Sequence, residues 1–205
     1  MTKKKFPSAP WKHPTHIFIY LPNPTINIYM KNYYQYLYDT TNNIVVLDID
    51  GTIIEHFKVP DDGFWTDREA LGRSIAEGVP NTNVMKIVEH YVRNGYKTCF
   101  CTARCCETAN ISGVAEFFAN HYPDTDFNFV EGECVAVNDE ILHPDLFSME
   151  RNCDKKAEVL KDKCRRYDNV IFIDDNNKIL GKCVELKRHY TNLRVIDAKT
   201  SKELF

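Results

Sequence analysis

The sequence predicts an α/β domain, a three-layer αβα sandwich around a central parallel sheet, and three observations predict it. Short runs of strand length and high β-propensity recur at 44–47, 97–101, 127–130, 169–173 and 193–196. Amphipathic stretches of helical period separate most of them, and such alternation builds parallel sheets with helices on both faces. Polar and charged residues follow three of the runs, at 48–50, 102–104 and 174–176. Open sheets of this kind gather their sites at the carboxyl ends of strands.

The first 43 residues stand apart as an N-terminal extension. After a Pro-rich start, Ile26, Tyr29, Met30, Tyr33, Tyr34 and Leu37 share one face of a helix. That face reads as a platform for stacking bases or as a helix docked on the core or on a second copy. The second reading is preferred, and it makes a homo-oligomer through this helix an expectation.

Residues 44–205 form the main domain. Ile44 to Leu47 is a buried strand that Gly51 terminates, and Asp48 and Asp50 follow it. At positions i and i+2 their side chains are expected on one side of the strand. Two carboxylates held that close repel, and burying them is costly unless a cation compensates. Hard oxygen ligands suit Mg²⁺. Residues 53–80, with His56, Phe57, Phe64 and Trp65, break the alternation and read as a small lid.

Asn83 to Asn94 carries Val84, Ile87, Val88, Tyr91 and Val92 on one helical face, closed by Gly95. The strand at 97–101 ends in Thr102-Ala103-Arg104. Ile111, Val114, Ala115 and Phe118 mark the next helix, and Phe127 to Val130 a short strand. Residues 131–153 read as a second irregular insert. Asp154 is expected to cap a helix running to about Arg166, which puts Lys155 and Lys156 in its first turn. The helix dipole disfavours cations there, and a bound phosphate reverses that penalty. A strand at 169–173 ends in Asp174-Asp175-Asn176; a helix at 177–187 and a strand at 193–196 complete the domain. Both inserts are short, so the crevice is expected to be open.

Composition excludes some functions. A net charge of −3 gives no global pull toward nucleic acid or an anionic membrane, although a local basic groove remains compatible. No apolar run approaches the roughly 20 residues of a membrane span. Lys3-Lys4-Lys5 is followed by Pro7, Pro10, Lys12 and His13 where a signal peptide needs an apolar core, so a cytoplasmic protein is expected. Eight cysteines without paired Cys-x-x-Cys knuckles read as buried free thiols. A zinc site from Cys101, Cys105, Cys106 and Cys134 is the lesser alternative, because the ligand spacing is irregular.

Asp48-Ile49-Asp50-Gly51-Thr52 resembles the Asp-x-Asp-x-Thr signature of the haloacid dehalogenase (HAD) superfamily. Thr102 resembles its second motif, Lys156 its third and Asp174-Asp175 its fourth, in order along residues 44–198. Gly-Tyr-Lys before the second strand, Thr-Ala-Arg after it and Arg151…Asp154-x-Lys156 are similar to the phosphatase domain of phage-type polynucleotide kinase-phosphatases and related phage nucleotide phosphatases. No P-loop motif is present.

The resemblance implies a Rossmann-like fold and a Mg²⁺-dependent phosphomonoester hydrolase working through an aspartyl-phosphate. Asp48 is then the nucleophile and Asp50 the general acid and base. Thr102, Arg104 and Lys156 are the phosphate-binding groups, with Lys155 the alternative to Lys156. The metal set is Asp48, Asp50 (through its backbone carbonyl), Asp174 and Asp175. The expected substrate is a phosphorylated nucleotide or polynucleotide end. The alternatives are a phosphatase for sugar or other small-metabolite phosphates and a non-catalytic phosphate-binding module.

Overall fold

The structure, a computed structural model, describes residues 16–17, 42–55, 68–105, 108–130, 133–138 and 149–205. The aromatic N-terminal face, with the association expected through it, lies outside the described residues, as do His56, Phe57, Phe64 and Trp65 of the first insert.

Twelve elements follow in chain order among these residues: β1 (His16–Ile17), β2 (Asn43–Leu47), α1 (Arg68–Ala76), α2 (Thr82–Arg93), β3 (Lys97–Cys105), α3 (Thr108–His121), β4 (Cys134–Asn138), α4 (Met149–Arg166), β5 (Asn169–Asp174), α5 (Asn177–Leu186), β6 (Leu193–Asp197) and β7 (Lys202–Leu204). The strands form one sheet in the order β1-β4-β3-β2-β5-β6-β7. The five inner strands run parallel, and β1 and β7 pair antiparallel at the edges. The architecture is the expected Rossmann-like α/β sheet with antiparallel strands added at its margins.

Burial explains why the central strands were legible. All five residues of β2 and the last five of β5 are buried, as strands covered by helices on both faces must be. Helix α2 buries Val84, Met85, Val88 and Tyr91, and the Asn81 side chain caps its start by accepting the Val84 amide at 3.3 Å. No helix among the described residues is long and apolar enough to cross a membrane.

Four local expectations are corrected. Residues 127–130 do not form a strand: Asn128 has φ 51°, which interrupts an extended ladder, and only Phe129 bridges to Thr98. Phe127 and Phe129 instead join Phe100 and Phe118 in an aromatic cluster with centroids about 5–6 Å apart. The fourth parallel strand is Cys134–Asn138, inside the stretch that reads in sequence as an irregular insert. Part of the first insert is likewise helical, as α1. It lies so close to α3 that a Cβ on Gly113 would collide with the Gly72 carbonyl oxygen. Lastly, α4 begins at Met149, five residues ahead of Asp154. Asp154 therefore caps nothing and pairs with Lys182 at 2.6 Å. Lys155 and Lys156 sit in the second turn, beyond the reach of the dipole argument.

Candidate active site

The chain order reverses between β2 and β5. From β2 the chain builds outward through β3 and β4, then returns to the other side of β2 for β5 and β6. A crevice must open outside the carboxyl ends of the strands at such a point. Asp48 leaves β2 there, its amide donating to the Ile173 carbonyl at 3.0 Å, which ties it to the end of β5.

The chain then turns tightly: the amides of Ile53 and Ile54 come back to the Ile49 carbonyl at 3.1 and 3.2 Å. Gly51 holds this turn at φ 73°. A Cβ at this position would stand 2.5 Å from Asp175 Oδ2, so glycine lets the two acid-bearing loops approach.

Asp48, Asp174 and Asp175 each offer a carboxylate oxygen within 4.8 Å of the others. Between the two buried members lies Lys156, only 1% exposed. Its Nζ donates to Asp48 Oδ1 at 2.8 Å and to Asp174 Oδ2 at 2.7 Å. Asp174 Oδ1 accepts the Asn176 amide at 2.8 Å, the turn that starts α5. Asp175 is pinned from the β6–β7 turn: Lys199 Nζ donates to its carbonyl at 2.8 Å and lies 3.1 Å from its Oδ2.

Asp50 stands apart from this trio. Arg104 grips it with a two-pronged fork, Nε to Oδ2 and Nη2 to Oδ1, both at 2.7 Å. The same guanidinium donates to Ser74 Oγ of α1 at 3.3 Å. Residues 102–105 of β3 oppose 136–138 of β4 with one residue too many, a bulge of the kind that re-aims side chains. Within it the Arg104 amide donates to Thr102 Oγ1 at 3.2 Å, and both side chains are buried.

Burial raises the Asp48 carboxyl, the nearby Asp174 and Asp50 charges add to the rise, and Lys156 opposes it, leaving the group at about 7. For Lys156, burial works against the charge, but the Asp48 and Asp174 carboxylates outweigh it and hold the ammonium above its ordinary range. With Asp48 ionised, it and Asp174 carry two negative charges against the one positive charge of Lys156. Their remaining negative charge, with Asp175 alongside, fits a hard divalent cation such as Mg²⁺. Asp48, Asp174 and Asp175 can hold a metal ion. Cys101 beneath it is no competitor, because burial pushes its thiol up to about 12.

The structure thus brings together Asp48, Asp174, Asp175 and Lys156, with Asp50, Arg104 and Thr102 in a second, linked group. The i and i+2 spacing does not set Asp48 and Asp50 side by side on a strand, since β2 ends at Leu47 and the two acids follow it with different partners. Thr102 and Arg104 lie within β3 rather than after it. Lys155 is spent on the Val137 carbonyl of β4, so Lys156 is the lysine at the acids. Cys101 and Cys134 are buried free thiols, and the other two cysteines of the zinc alternative are not described at side-chain level.

Sequence reasoning missed Ser74 and Lys199. Lys199 was findable, because it follows the carboxyl end of β6, where the same strand-end rule points. It also missed Lys163, a buried lysine of α4 that binds the Glu133 carboxylate and carbonyl.

No family model matches the sequence, and no match emerged among curated proteins. Solved structures do resemble it. A chain of the Pnkp1/Rnl/Hen1 RNA repair complex matches over 77% of this chain and 42% of its own length, at 18% identity and a TM-score of 0.51. A second structure of the Pnkp1/Rnl/Hen1 complex matches over 77% and 46%, at 20% identity and 0.47. The HAD domain of effector protein Lem4 from Legionella pneumophila matches over 76% and 85%, at 16% identity and 0.45. The chain spans less than half the length of the repair-complex chains. At 18% identity the likeness to the first is one of fold, and it agrees with the fold that the motif resemblance implies.

Proposed function

We propose that this protein is a Mg²⁺-dependent phosphomonoester hydrolase acting through an aspartyl-phosphate on a nucleotide or polynucleotide end. The observation that carries this reading is Lys156, buried and bonded to both Asp48 and Asp174 with Asp175 beside them. A structural core has no need of such a group. A nucleophilic carboxylate that must meet an anionic substrate does.

In this reading the free oxygen of Asp48 attacks phosphorus as the bond to the leaving oxygen breaks. The Asp50 carboxyl gives its proton to that oxygen. It then takes a proton from water, whose oxygen attacks the phosphorus, releasing inorganic phosphate and restoring the Asp48 carboxylate. Lys156 and Thr102 hold the non-bridging oxygens as charge shifts onto them. Arg104 orients Asp50 in the absence of substrate, and an incoming phosphate competes for the same guanidinium. Held by Asp48, Asp174, Asp175 and the Asp50 carbonyl, Mg²⁺ would supply charge neutralisation between nucleophile and substrate.

The substrate class rests on the Thr-Ala-Arg and lysine motifs, and on a fold shared with a chain of an RNA repair complex. The test is phosphate release from a panel of phosphorylated mononucleotides, oligonucleotides and sugars, with Mg²⁺ or EDTA. Asp48→Asn is expected to abolish release while leaving the circular dichroism spectrum unchanged. Persistent release by that variant overturns the nucleophile assignment, and a preference for sugar phosphates overturns the substrate class.

A further inference from the structure

Asn152 takes no part in the chemistry above, yet its side chain is 2% exposed and its amide Nδ2 has no hydrogen-bond partner. A buried donor left unpaired is a standing cost to the fold, and such groups call for a physical reason. The geometry of α4 supplies one.

Asn152, Lys156 and Lys163 fall on a single buried stripe of the helix at i, i+4 and i+11. Lys163 binds Glu133, which precedes the amino end of β4. Lys156 meets Asp48 and Asp174 at the carboxyl ends of β2 and β5. The helix therefore runs antiparallel to the strands, and its first turns lie on the crevice side of the sheet. Asn152 is one turn beyond Lys156 in that direction, about 6 Å along the axis. Helical side chains lean toward the N-terminus, so the Lys156 stem runs toward the Asn152 turn to reach the acids.

We propose that the Asn152 amide is a further phosphate-binding group of this site, donating to a phosphoryl oxygen beside Lys156. The assignment rests on the phosphohydrolase reading above and adds a residue to it. An anion in the crevice supplies the acceptor that the protein does not. The unpaired donor is a stability cost retained for binding, as functional sites commonly show.

This makes an unusual pair of expectations. Asn152→Leu, similar in shape and without the donor, should keep or raise the melting temperature of the full chain while weakening orthovanadate binding at least about tenfold, equivalent to about 1.4 kcal/mol. Asn152→Asp, which aims a negative charge at the phosphoryl group, should weaken it further. Affinity is read by calorimetry with Mg²⁺ present, on protein whose circular dichroism matches the parent. If the Leu variant does not fold, Asn152→Ala takes its place. Orthovanadate affinity within about threefold of the parent overturns the assignment, whatever happens to stability. That failure is distinct from failure of the underlying reading. A parent that does not bind orthovanadate, or an Asp48→Asn variant that still releases phosphate, removes the phosphohydrolase and the Asn152 role together.

Discussion

Replacing Lys156 with Met removes the cation between two buried carboxylates and keeps a side chain of similar length. Two ion pairs of 2.8 and 2.7 Å disappear, and Asp48 and Asp174 are left facing each other. Removing one partner of a buried pair costs about 3–5 kcal/mol when the orphaned charge cannot escape. Here it can. Asp48 is already raised to about 7 with Lys156 in place, so without the lysine it takes up a proton near neutral pH. The expected loss is therefore toward the lower end, about 3 kcal/mol at pH 8, and smaller at pH 6.

The sign follows from linkage. A carboxyl whose folded pKa lies above its unfolded value favours the folded state at low pH and loses that contribution as pH rises through the folded pKa. The variant's deficit must therefore widen from pH 6 to pH 8. For a chain of this size about 3 kcal/mol corresponds to a melting temperature lower by about 6–12 °C. Thermal unfolding followed by circular dichroism at the two pH values, with EDTA present, measures it. A drop below about 2 °C, or a deficit that shrinks at higher pH, refutes the picture of Lys156 as the cation holding two buried carboxylates together.

Other perturbations probe the surrounding parts. Gly51→Ala forces a side chain into a left-handed backbone and against Asp175 Oδ2; a loss of about 1–2 kcal/mol in urea unfolding and a higher Mg²⁺ requirement are expected, and an unchanged midpoint argues against the close approach. Adding Mg²⁺ should raise the melting temperature by mass action and EDTA should reverse it, while Asp174→Asn should blunt the response. An identical response in that variant places the ion elsewhere. Burial alone would raise Glu133, but hydrogen bonds from Arg166 and Lys163 overcome it and hold the carboxyl at about 2. Glu133→Gln should cost about 1–2 kcal/mol at pH 7, a figure reduced for solvent screening. Because the folded pKa is depressed, the gap between parent and variant is present above about pH 4.5 and closes toward pH 2. A gap that is constant with pH rules out the ionic contribution.

What was legible in the chain was what depends on near neighbours. Val45 and Val46 beside Ile44 make a strand wherever they are buried, and Val84, Val88 and Tyr91 make a helix face by their spacing alone. From those elements the alternation, the parallel sheet and the acids at the strand ends followed. Where local signals competed, the reading failed. Gly72 inside α1 weakened a helical pattern, and its carbonyl oxygen is what a Cβ on Gly113 of α3 would strike. Phe127 and Phe129 mimicked a strand while serving an aromatic cluster. Cys134 to Asn138 is as long as β2, but its Ala136 and Asn138 are poor strand formers, and pairing with β3 makes it a strand.

The sequence by itself placed two acidic pairs at the carboxyl ends of two strands, because that placement depends on local pattern and chain connectivity, and the motif resemblance added the lysine. Tertiary structure decided the pairing: Lys156 rather than Lys155 at the acids, Arg104 on Asp50, Lys199 on Asp175. Those choices turn on distances of a few ångströms between side chains brought together by folding from segments up to 108 residues apart. Coulomb and hydrogen-bond energies are steep over such distances, and spacing along a chain carries no information about them.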